Sequence, residues 1–291
     1  MEKNGIFREI SLEGAEKIGE GAHGEVYRID EETIAKVYRD SEPLEKIRKE
    51  KELSKWAFVK GIPTAISYDI VRVGDRYGVV YELLNARSAS EYISESEENF
   101  EDFVVKSVEL MKNIHSIEVK PGELPDMKVQ TLEWIDKCRE YMPDDICDRL
   151  KKLTEDLPDS HTFLHADFHI KNIMIVKGQL MLIDMETMCA GDPIFEMATM
   201  YNSYKEFPSM AEEAATFLGI DVDTAARLWD RTLDLYIGDA GEDVRLETER
   251  RARILGCIRI IAYFDRYREI PEWKMGIETC IRDIMKEVRR N

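Results

Sequence analysis

The sequence predicts an α+β protein with two lobes, a small β-rich lobe followed by a larger and mostly helical one. The first 84 residues contain short, partly alternating apolar runs separated by glycines or acidic turns, a pattern typical of strands. The rest of the chain has mainly helical apolar spacing, interrupted by short strand-like runs around residues 162–183. With 291 residues, 44% of them hydrophobic, the chain can bury a core and form two lobes.

The first lobe is predicted to span residues 1–84. Its main helix runs from about Pro43 to Lys60, because proline suits a first helical turn and Gly61–Pro63 ends the apolar stripe. A hinge is expected near Glu82–Asn85. The predicted strands are Ala15–Ile18, Glu25–Ile29, Thr33–Tyr38, Ala65–Val73 and Tyr77–Leu83.

The second lobe, residues 85–291, is predicted to be mostly helical. One helix ends near His115, and the pattern is helical again from Ile194 onward. Four prolines punctuate the region between residues 119 and 160, which carries two amphipathic helices. These helices are expected around Thr131–Tyr141 and Asp145–Leu157, and short strands at Thr162–Leu164, Asn172–Val176 and Leu180–Ile183.

Composition argues against several classes of protein. No apolar run reaches the roughly 18 residues of a membrane span, and the first ten residues lack the apolar core of a signal peptide. The five cysteines are scattered and never in C-x-x-C spacing, so they predict reduced thiols in a cytoplasmic protein. The net charge of −18 argues against nucleic acid as a partner.

The negative charge is concentrated in the second lobe. Residues 1–84 carry 14 basic and 17 acidic residues, so the other 207 residues hold −15 of the total −18. A cationic ligand would suit this acidic lobe, and a solvated acidic surface is the alternative interpretation.

Three glycines stand in a G-x-G-x-x-G pattern within I-G-E-G-A-H-G-E-V-Y-R, namely Gly19, Gly21 and Gly24. A dinucleotide-binding loop would open a helix at this point, whereas the residues after Gly24 favour a strand. We therefore interpret the motif as a hairpin tip whose backbone N–H groups approach phosphate oxygens. Taken alone, the motif favours an ordinary structural turn over a phosphate clamp.

Lys36 lies in the apolar strand I-A-K-V-Y. A lysine in such a strand needs a partner or a ligand, because burying an unpaired charge is costly. Glu50 and Glu52 in the following helix are candidate partners. Alternatively, Lys36 extends to solvent from an edge strand, and both glutamates are solvated.

A cluster of polar residues follows the predicted strand at residue 164. The segment L-H-A-D-F-H-I-K-N contains His165, Asp167, His169 and Asn172, and Asp184 follows in L-I-D-M-E. These side chains suit metal ligation, proton transfer or a polar turn between strands.

Taken in chain order, G-E-G-A-H-G-E-V, A-K-V-Y, H-A-D-F-H-I-K-N and I-D-M-E resemble the motifs of the protein-kinase-like fold. They are more similar to those of the aminoglycoside phosphotransferase and choline kinase group, which favours H-G-D-x-x-x-x-N and I-D-x-E. The run A-G-D-P-I-F-E-M-A resembles that group's G-D-P-x-x-D-L-A. The resemblance covers most of the chain and implies a bilobal protein-kinase-like fold with phosphotransferase activity dependent on ATP and Mg²⁺.

The resemblance also implies roles for single residues. Asp167 would be the catalytic aspartate, which orients the acceptor hydroxyl and receives its proton. Asn172 and Asp184 would hold magnesium ions that bridge the nucleotide phosphates. His165 would brace the loop, and His169 matches the second histidine of the group's H-G-D-L-H; a zinc site built on these histidines is the rival interpretation.

The nucleotide-binding residues follow from the same resemblance. Gly19, Gly21 and Gly24 would cover the phosphates of ATP. Lys36 would neutralise the α- and β-phosphates, and Glu50 would orient Lys36. Glu50 is preferred over Glu52 because its distance from Gly61 matches the corresponding helix of the group. Backbone groups near Glu82 and Leu84 would hydrogen-bond the adenine edge.

Departures from protein kinases favour a small-molecule acceptor. Ala166 replaces the usual glycine and Glu196 the usual aspartate of the group. No D-F-G glycine follows Asp184, no A-P-E appears, and the apolar segment Ile194–Met200 begins only ten residues after Asp184. This leaves no long activation segment for binding a peptide.

The acceptor class is open at this point. An aminoglycoside or an amino-alcohol would suit the acidic lobe, and an uncharged sugar or nucleoside is the alternative. Candidates for the acceptor wall are Trp134, Asp136, Asp239 and Asp265. Rival functions are a kinase that acts on protein, a nucleotide-binding pseudokinase scaffold and a non-enzymatic interaction domain.

Overall fold

The structure, a computed structural model, describes residues 7–21, 24–210 and 216–289 and divides into two compact units. The first unit comprises the chain up to Arg87 together with Ile173–Glu186. The second comprises Ser88–Asn172 and the chain from Thr187 onward. No helix within the described ranges is long and apolar enough to cross a membrane.

A six-stranded sheet forms the body of the first unit, in the order β1-β5-β6-β4-β3-β2. Neighbouring strands are antiparallel except for the parallel pair β1 and β5. All five strands predicted in this region are present, and the short β1 is an addition. The strands are β1 Arg8–Glu9, β2 Glu16–Glu20, β3 Gly24–Arg28, β4 Thr33–Tyr38, β5 Ser67–Val73 and β6 Arg76–Glu82.

One helix, α1 (Leu44–Val59), packs on this sheet. Its buried residues Ile47, Glu50, Ser54 and Ala57 are three or four positions apart, so they share one helical face. Ile47 joins a core cluster with buried side chains from β4 and β6. The helix predicted over residues 43–60 is confirmed, and its inner face brings Glu50 towards β4.

A hairpin distant in sequence completes the first unit. Strands β9 (Ile173–Val176) and β10 (Gln179–Leu182) pair around a two-residue turn, in which Lys177 has φ 50° and Gly178 has φ 81°. Two positive φ values mark a type I′ turn, which matches the twist of the strands. The Leu182 N–H donates to the Pro63 carbonyl at 2.8 Å. This pairing groups the hairpin with the first unit, whereas the boundary expected from sequence put it in residues 85–291.

The second unit is mainly helical, as predicted. The two-residue strand β7 (Arg87–Ser88) lies where the chain passes between units, and β8 (Thr162–Leu164) pairs antiparallel with β11 (Cys189–Gly191). A π-helix, Asn202–Glu206, stands between α6 and α7. The helices are α2 Ala89–Ser94, α3 Glu97–His115, α4 Met127–Cys138, α5 Asp144–Glu155, α6 Ile194–Tyr201, α7 Phe207–Met210, α8 Val222–Ile237, α9 Glu242–Phe264 and α10 Pro271–Arg289.

Two helix starts differ from the sequence-based expectation because side chains cap them. Helix α4 begins at Met127 rather than near Thr131, since the Asp126 carboxylate accepts the Val129 N–H and caps it. The short α2, which was not predicted, is capped by the Ser88 hydroxyl. Six residues are too few for a clear helical period, so the sequence pattern missed this helix.

Helix α9 is the central element of the second unit and packs against α4, α6 and α10. A close approach at Gly256 permits this packing, because a Cβ there would lie 2.3 Å from the Asn202 Oδ1 atom and 2.9 Å from the Ala198 carbonyl oxygen. The Asn202 side chain donates to the Gly256 carbonyl at 3.1 Å. All five cysteines are buried free thiols.

Candidate active site

The three motif glycines have different roles in the first unit. A Cβ at Gly24 would lie 2.2 Å from the Val37 carbonyl oxygen, so pairing of β3 with β4 requires glycine there. A Cβ at Gly19 would make only ordinary contacts with Val26, and one at Gly21 would meet nothing within 4 Å. The Gly21 N–H donates to the Gly24 carbonyl at 2.9 Å. The fold itself therefore does not require glycine at 19 and 21, and the lack of a side chain there gives a ligand room to approach, while the Gly21 N–H is engaged within the hairpin.

Lys36 is paired as the sequence predicted. Its Nζ donates to the Glu50 Oε1 atom at 2.6 Å and lies 3.9 Å from the Asp184 Oδ1 atom. Burial alone would lower the pKa of Lys36, but the attraction of Glu50 and Asp184 raises it well above its usual value. Glu50 is buried, whereas Glu52 is exposed and lies beside Lys51. The alternative of a solvated Lys36 therefore does not fit the structure.

Asp184 belongs to a group of carboxylates in the first unit. One oxygen each from Glu50, Asp184 and Glu186 lies within 4.8 Å of the others. Asp184 has a positive φ of 64°, which is unusual for a residue with a Cβ and aims a side chain out of the regular strand path. Its carboxylate is 41% exposed, so it offers the hard oxygen ligand that Mg²⁺ prefers.

The backbone after β6 offers a free donor for a ligand at Leu84. The Glu82 N–H donates to the Ile66 carbonyl at 2.9 Å, and the Leu84 carbonyl accepts from Ala86 at 2.9 Å. Among the described residues, the Leu84 N–H has no acceptor. An adenine edge would therefore find its donor at Leu84, and Glu82 would have to contribute its carbonyl.

Asp167 stands in the second unit on the loop after β8, where the sequence predicted it. The Asn172 Nδ2 donates to the Asp167 Oδ2 atom at 2.9 Å and to its main-chain carbonyl at 3.0 Å. The His169 Nε2 lies 3.4 Å from the same carboxylate oxygen. These hydrogen bonds use only the Asn172 Nδ2 atom. The Oδ1 atom of the same amide is an acceptor and is the kind of oxygen ligand that suits Mg²⁺.

The Asp167 carboxylate is held in its ionised form. Burial alone would raise the pKa of Asp167, but His169 and the charges of Arg259 and His165 hold it well below its usual range. Arg259, on α9, was not identified from the sequence because it lies far from every motif in the chain. Among the described residues it has no hydrogen-bond or ion-pair partner, and its positive charge lowers the pKa of Asp167.

Three side chains form hydrogen bonds with the backbone of the Asp167 loop and brace it. The Glu196 Oε2 atom accepts the His165 N–H at 2.7 Å, and the Thr187 hydroxyl donates to the His165 carbonyl at 2.9 Å. The Tyr204 hydroxyl accepts the Ile170 N–H at 2.8 Å. His165 is fully buried, and its backbone N–H and carbonyl hold the loop, as expected of a bracing residue. Within the described part of the chain, no group of three potential metal ligands contains a histidine, so the zinc interpretation has no geometric support.

The candidate acceptor-wall aspartates are mostly engaged. Asp136 lies 2.7 Å from the Lys151 Nζ atom. Asp265 accepts from the Tyr141 hydroxyl and lies 3.2 Å from Arg268. These pairs neutralise both carboxylates, which weakens their case as ligands for a cationic acceptor. Asp239 is exposed in a single helical turn after α8.

Residues 14–232 match the model of the phosphotransferase enzyme family. The match covers most of the chain, including the glycine motif, Lys36, Asp167 and Asp184. This chain belongs to the phosphotransferase enzyme family. A search of curated proteins found no significant match.

Solved structures with a similar fold match this family member over nearly its whole length. One is a thermostable mutant of aminoglycoside phosphotransferase APH(4)-Ia with ADP and hygromycin B, with TM-score 0.67, 12% identity and 93% of each chain covered. A gentamicin complex of APH(2")-IIa has TM-score 0.57 and 16% identity, covering 94% of this chain and 91% of the other. A choline/ethanolamine kinase family protein from Mesorhizobium loti has TM-score 0.55 and 11% identity, covering 95% and 92%. The predicted α+β, bilobal kinase-like fold is thus confirmed.

Proposed function

We propose that this phosphotransferase moves the γ-phosphate of ATP to a hydroxyl group of a small molecule, with Mg²⁺ as cofactor and without nucleic acid or a membrane as partner. The observation that carries the proposal is Asp167, an ionised carboxylate fixed by Asn172 at 2.9 Å on a braced loop. A carboxylate so placed can orient an acceptor hydroxyl and receive its proton.

In the first unit, the roles follow from charge and accessible backbone. Lys36, oriented by Glu50, neutralises phosphate charge, and the lack of side chains at Gly19 and Gly21 lets phosphate oxygens approach this hairpin. The Leu84 N–H holds the adenine edge. Asp184 would offer a carboxylate oxygen to magnesium, and Asn172 would offer its amide oxygen. When bound, Mg²⁺ offsets the charge of the transferring phosphate.

A small-molecule acceptor is favoured by the short segment after Asp184. A helical turn at Met185–Thr187 leads directly into β11, which pairs with β8, and α6 begins at Ile194. Most of the residues between Asp184 and Ile194 belong to the helical turn or to β11, so this stretch contains no long loop that could bind a peptide. The unpaired charge of Arg259 and the neutralised Asp136 and Asp265 favour a neutral acceptor over a strongly cationic one.

Acceptor-dependent ADP release tests this proposal. The purified protein would be incubated with MgATP and a panel of sugars, nucleosides, amino-alcohols and aminoglycosides. We expect stimulation by at least one class and a loss of about 10³-fold or more in Asp167→Ala. Asp159→Asn, which changes an exposed aspartate near β8, is the matched control and should retain activity.

Three results would contradict parts of the proposal. One is the absence of stimulation by any acceptor together with phosphate incorporated into protein, which would identify a protein kinase. Another is unchanged Mg²⁺-dependent ATP binding in Asp184→Ala, which would remove the assigned metal ligand. The third is complete failure of the wild-type protein to bind ATP, which would favour a non-enzymatic domain.

A further inference from the structure

Three potential metal ligands meet inside the second unit, outside the motifs of the phosphotransferase family. Glu206 ends the π-helix, Cys257 lies in α9 and Cys280 lies in α10. One carboxylate oxygen of Glu206 and the two Sγ atoms lie within 4.8 Å of one another. The three residues are at most 3% exposed. Three separate elements therefore bring sulfur and oxygen ligands to one buried point.

The Glu206 carboxylate is incompletely satisfied at this point. Its Oε1 atom accepts no hydrogen bond from the described residues. The Arg253 Nε atom lies 3.9 Å from the Glu206 Oε2 atom, too far for a hydrogen bond. Arg253 also donates to Asp283 and lies 3.7 Å from Glu287, so one guanidinium is shared among three carboxylates. Buried acceptors in proteins almost always have a partner, so the Oε1 atom is available to bind a further ligand.

The chemistry of these ligands favours a particular ion. Two sulfur ligands select Zn²⁺ over Mg²⁺ or Ca²⁺, which prefer oxygen. With Zn–S bonds of about 2.3 Å and Zn–O bonds of about 2.0 Å, neighbouring ligand atoms in a tetrahedron are roughly 3.5–3.8 Å apart. Side-chain shifts of about 1 Å would close the observed spacing to these values.

The local charge also suits a divalent cation. Two thiolates and one carboxylate around Zn²⁺ leave a single negative charge, and the Arg253 guanidinium lies beside it to balance this charge. Binding replaces the two thiol protons by metal–sulfur bonds, and the protons pass to solvent. A water molecule would complete the fourth tetrahedral position.

We propose that Glu206, Cys257 and Cys280 form a structural Zn²⁺ site that fastens the π-helix to α9 and α10. The same π-helix carries Tyr204, whose hydroxyl accepts the Ile170 N–H of the Asp167 loop. The ion therefore stabilises the segment that supports this loop. The site is independent of the proposed phosphoryl transfer, and its test does not depend on activity.

Cobalt substitution tests the site directly. The full-length protein would be refolded under reducing conditions with Co²⁺, whose bonds to thiolates give a charge-transfer band in the near ultraviolet. We expect this band at about one Co²⁺ per chain, its loss on adding Zn²⁺, and a higher Tm with either ion. Cys280→Ser should abolish the band, and Cys147→Ser, a buried cysteine in α5, is the matched control that should retain it.

A folded wild-type protein without the band would overturn the proposal, as would a band that persists in Cys280→Ser. If Cys280→Ser does not fold, Glu206→Gln decides, because it keeps the side-chain shape and removes only the anionic ligand. Loss of a ligand should weaken Co²⁺ binding by at least about tenfold. Unchanged Co²⁺ affinity in this variant would exclude Glu206 from the site.

Discussion

At the residue scale, the backbone around Asp167 and Asp184 explains what the motifs alone leave open. Ala166 has φ 60° and Asp184 has φ 64°, both in the left-handed region that favours glycine. A glycine at position 166 would adopt this conformation without strain, whereas Ala166 adopts it despite its Cβ. Alanine at this position therefore stores local backbone strain.

Substitutions at position 166 should separate strain from flexibility. Ala166→Gly removes the left-handed strain but gives the unfolded chain more freedom, so the free energy of unfolding should change by less than about 1 kcal/mol. Ala166→Val adds a β-branched side chain at a buried position with positive φ and should destabilise by about 2–3 kcal/mol. Urea unfolding of the two variants measures both effects. Equal stability of the Gly and Val variants would contradict the strain argument.

The glycine loop offers a matched pair of variants. Gly21→Ala meets no atom within 4 Å, so its free energy of unfolding should stay within about 0.5 kcal/mol of wild type while the KM for ATP rises about tenfold. Gly24→Ala would collide with the Val37 carbonyl and should destabilise the fold by about 2–3 kcal/mol. Thermal unfolding and ATP titration distinguish them. An unchanged KM in Gly21→Ala would favour the ordinary structural turn.

At the element scale, α1 and β4 are connected through one charged pair. The inner face of α1 places Glu50 against Lys36, while Glu52, two positions later, faces solvent. A helical turn of 3.6 residues makes this difference inevitable once Ile47 and Ala57 are buried. The sequence offered both glutamates, and the buried face of the helix selected one.

Glu50→Gln and Glu52→Gln test this selection. Loss of the charged hydrogen bond to Lys36 is worth about 1.5–3 kcal/mol, so kcat/KM for ATP should fall roughly 10- to 100-fold in Glu50→Gln. Glu52→Gln should differ from wild type by less than twofold, as about 0.5 kcal/mol or less is typical of surface changes. Steady-state kinetics with a working acceptor gives kcat/KM for both variants. Equal effects of the two substitutions would show that the Lys36–Glu50 contact has no functional role.

At the scale of the whole molecule, a buried carboxylate links three segments of the helical unit. Glu196 at the start of α6 accepts the His165 N–H after β8 at 2.7 Å and lies 3.7 Å from the His115 Nε2 atom at the end of α3. Burial alone would raise the pKa of Glu196, but His115 and His165 together lower it below its ordinary value of 4.5.

This pKa shift has a definite sign for stability. A carboxylate whose pKa is lowered by folding stabilises the native state above its unfolded pKa, and this contribution disappears as pH falls through the folded value. Glu196→Gln should therefore lower the free energy of unfolding by about 2 kcal/mol at neutral pH, with a smaller difference below about pH 4. Glu98→Gln, at an exposed position in α3, is the control. A pH-independent difference for Glu196→Gln would contradict the mechanism.

Much of this arrangement could be predicted because local chemistry determines it. Strand and helix positions follow apolar period, and Lys36, Asp167, Asn172 and Asp184 stand out because polar groups in apolar surroundings need partners. Arg259, Tyr204 and the Glu206–Cys257–Cys280 group have no such local signal. Their partners come from elements far apart in sequence, and only packing brings them together.

The resemblance to the aminoglycoside phosphotransferase and choline kinase group supplied the proposed roles of the site residues, whereas the sequence by itself determined the α+β class and the order of the elements. These depend on side-chain chemistry and on periods of two or 3.6 residues, which are local properties. Only the tertiary structure decided that Glu50 rather than Glu52 meets Lys36, that hairpin 173–186 joins the first unit, and that two cysteines converge on Glu206. Each of these depends on which faces are buried against distant elements, and that is a property of the packed molecule.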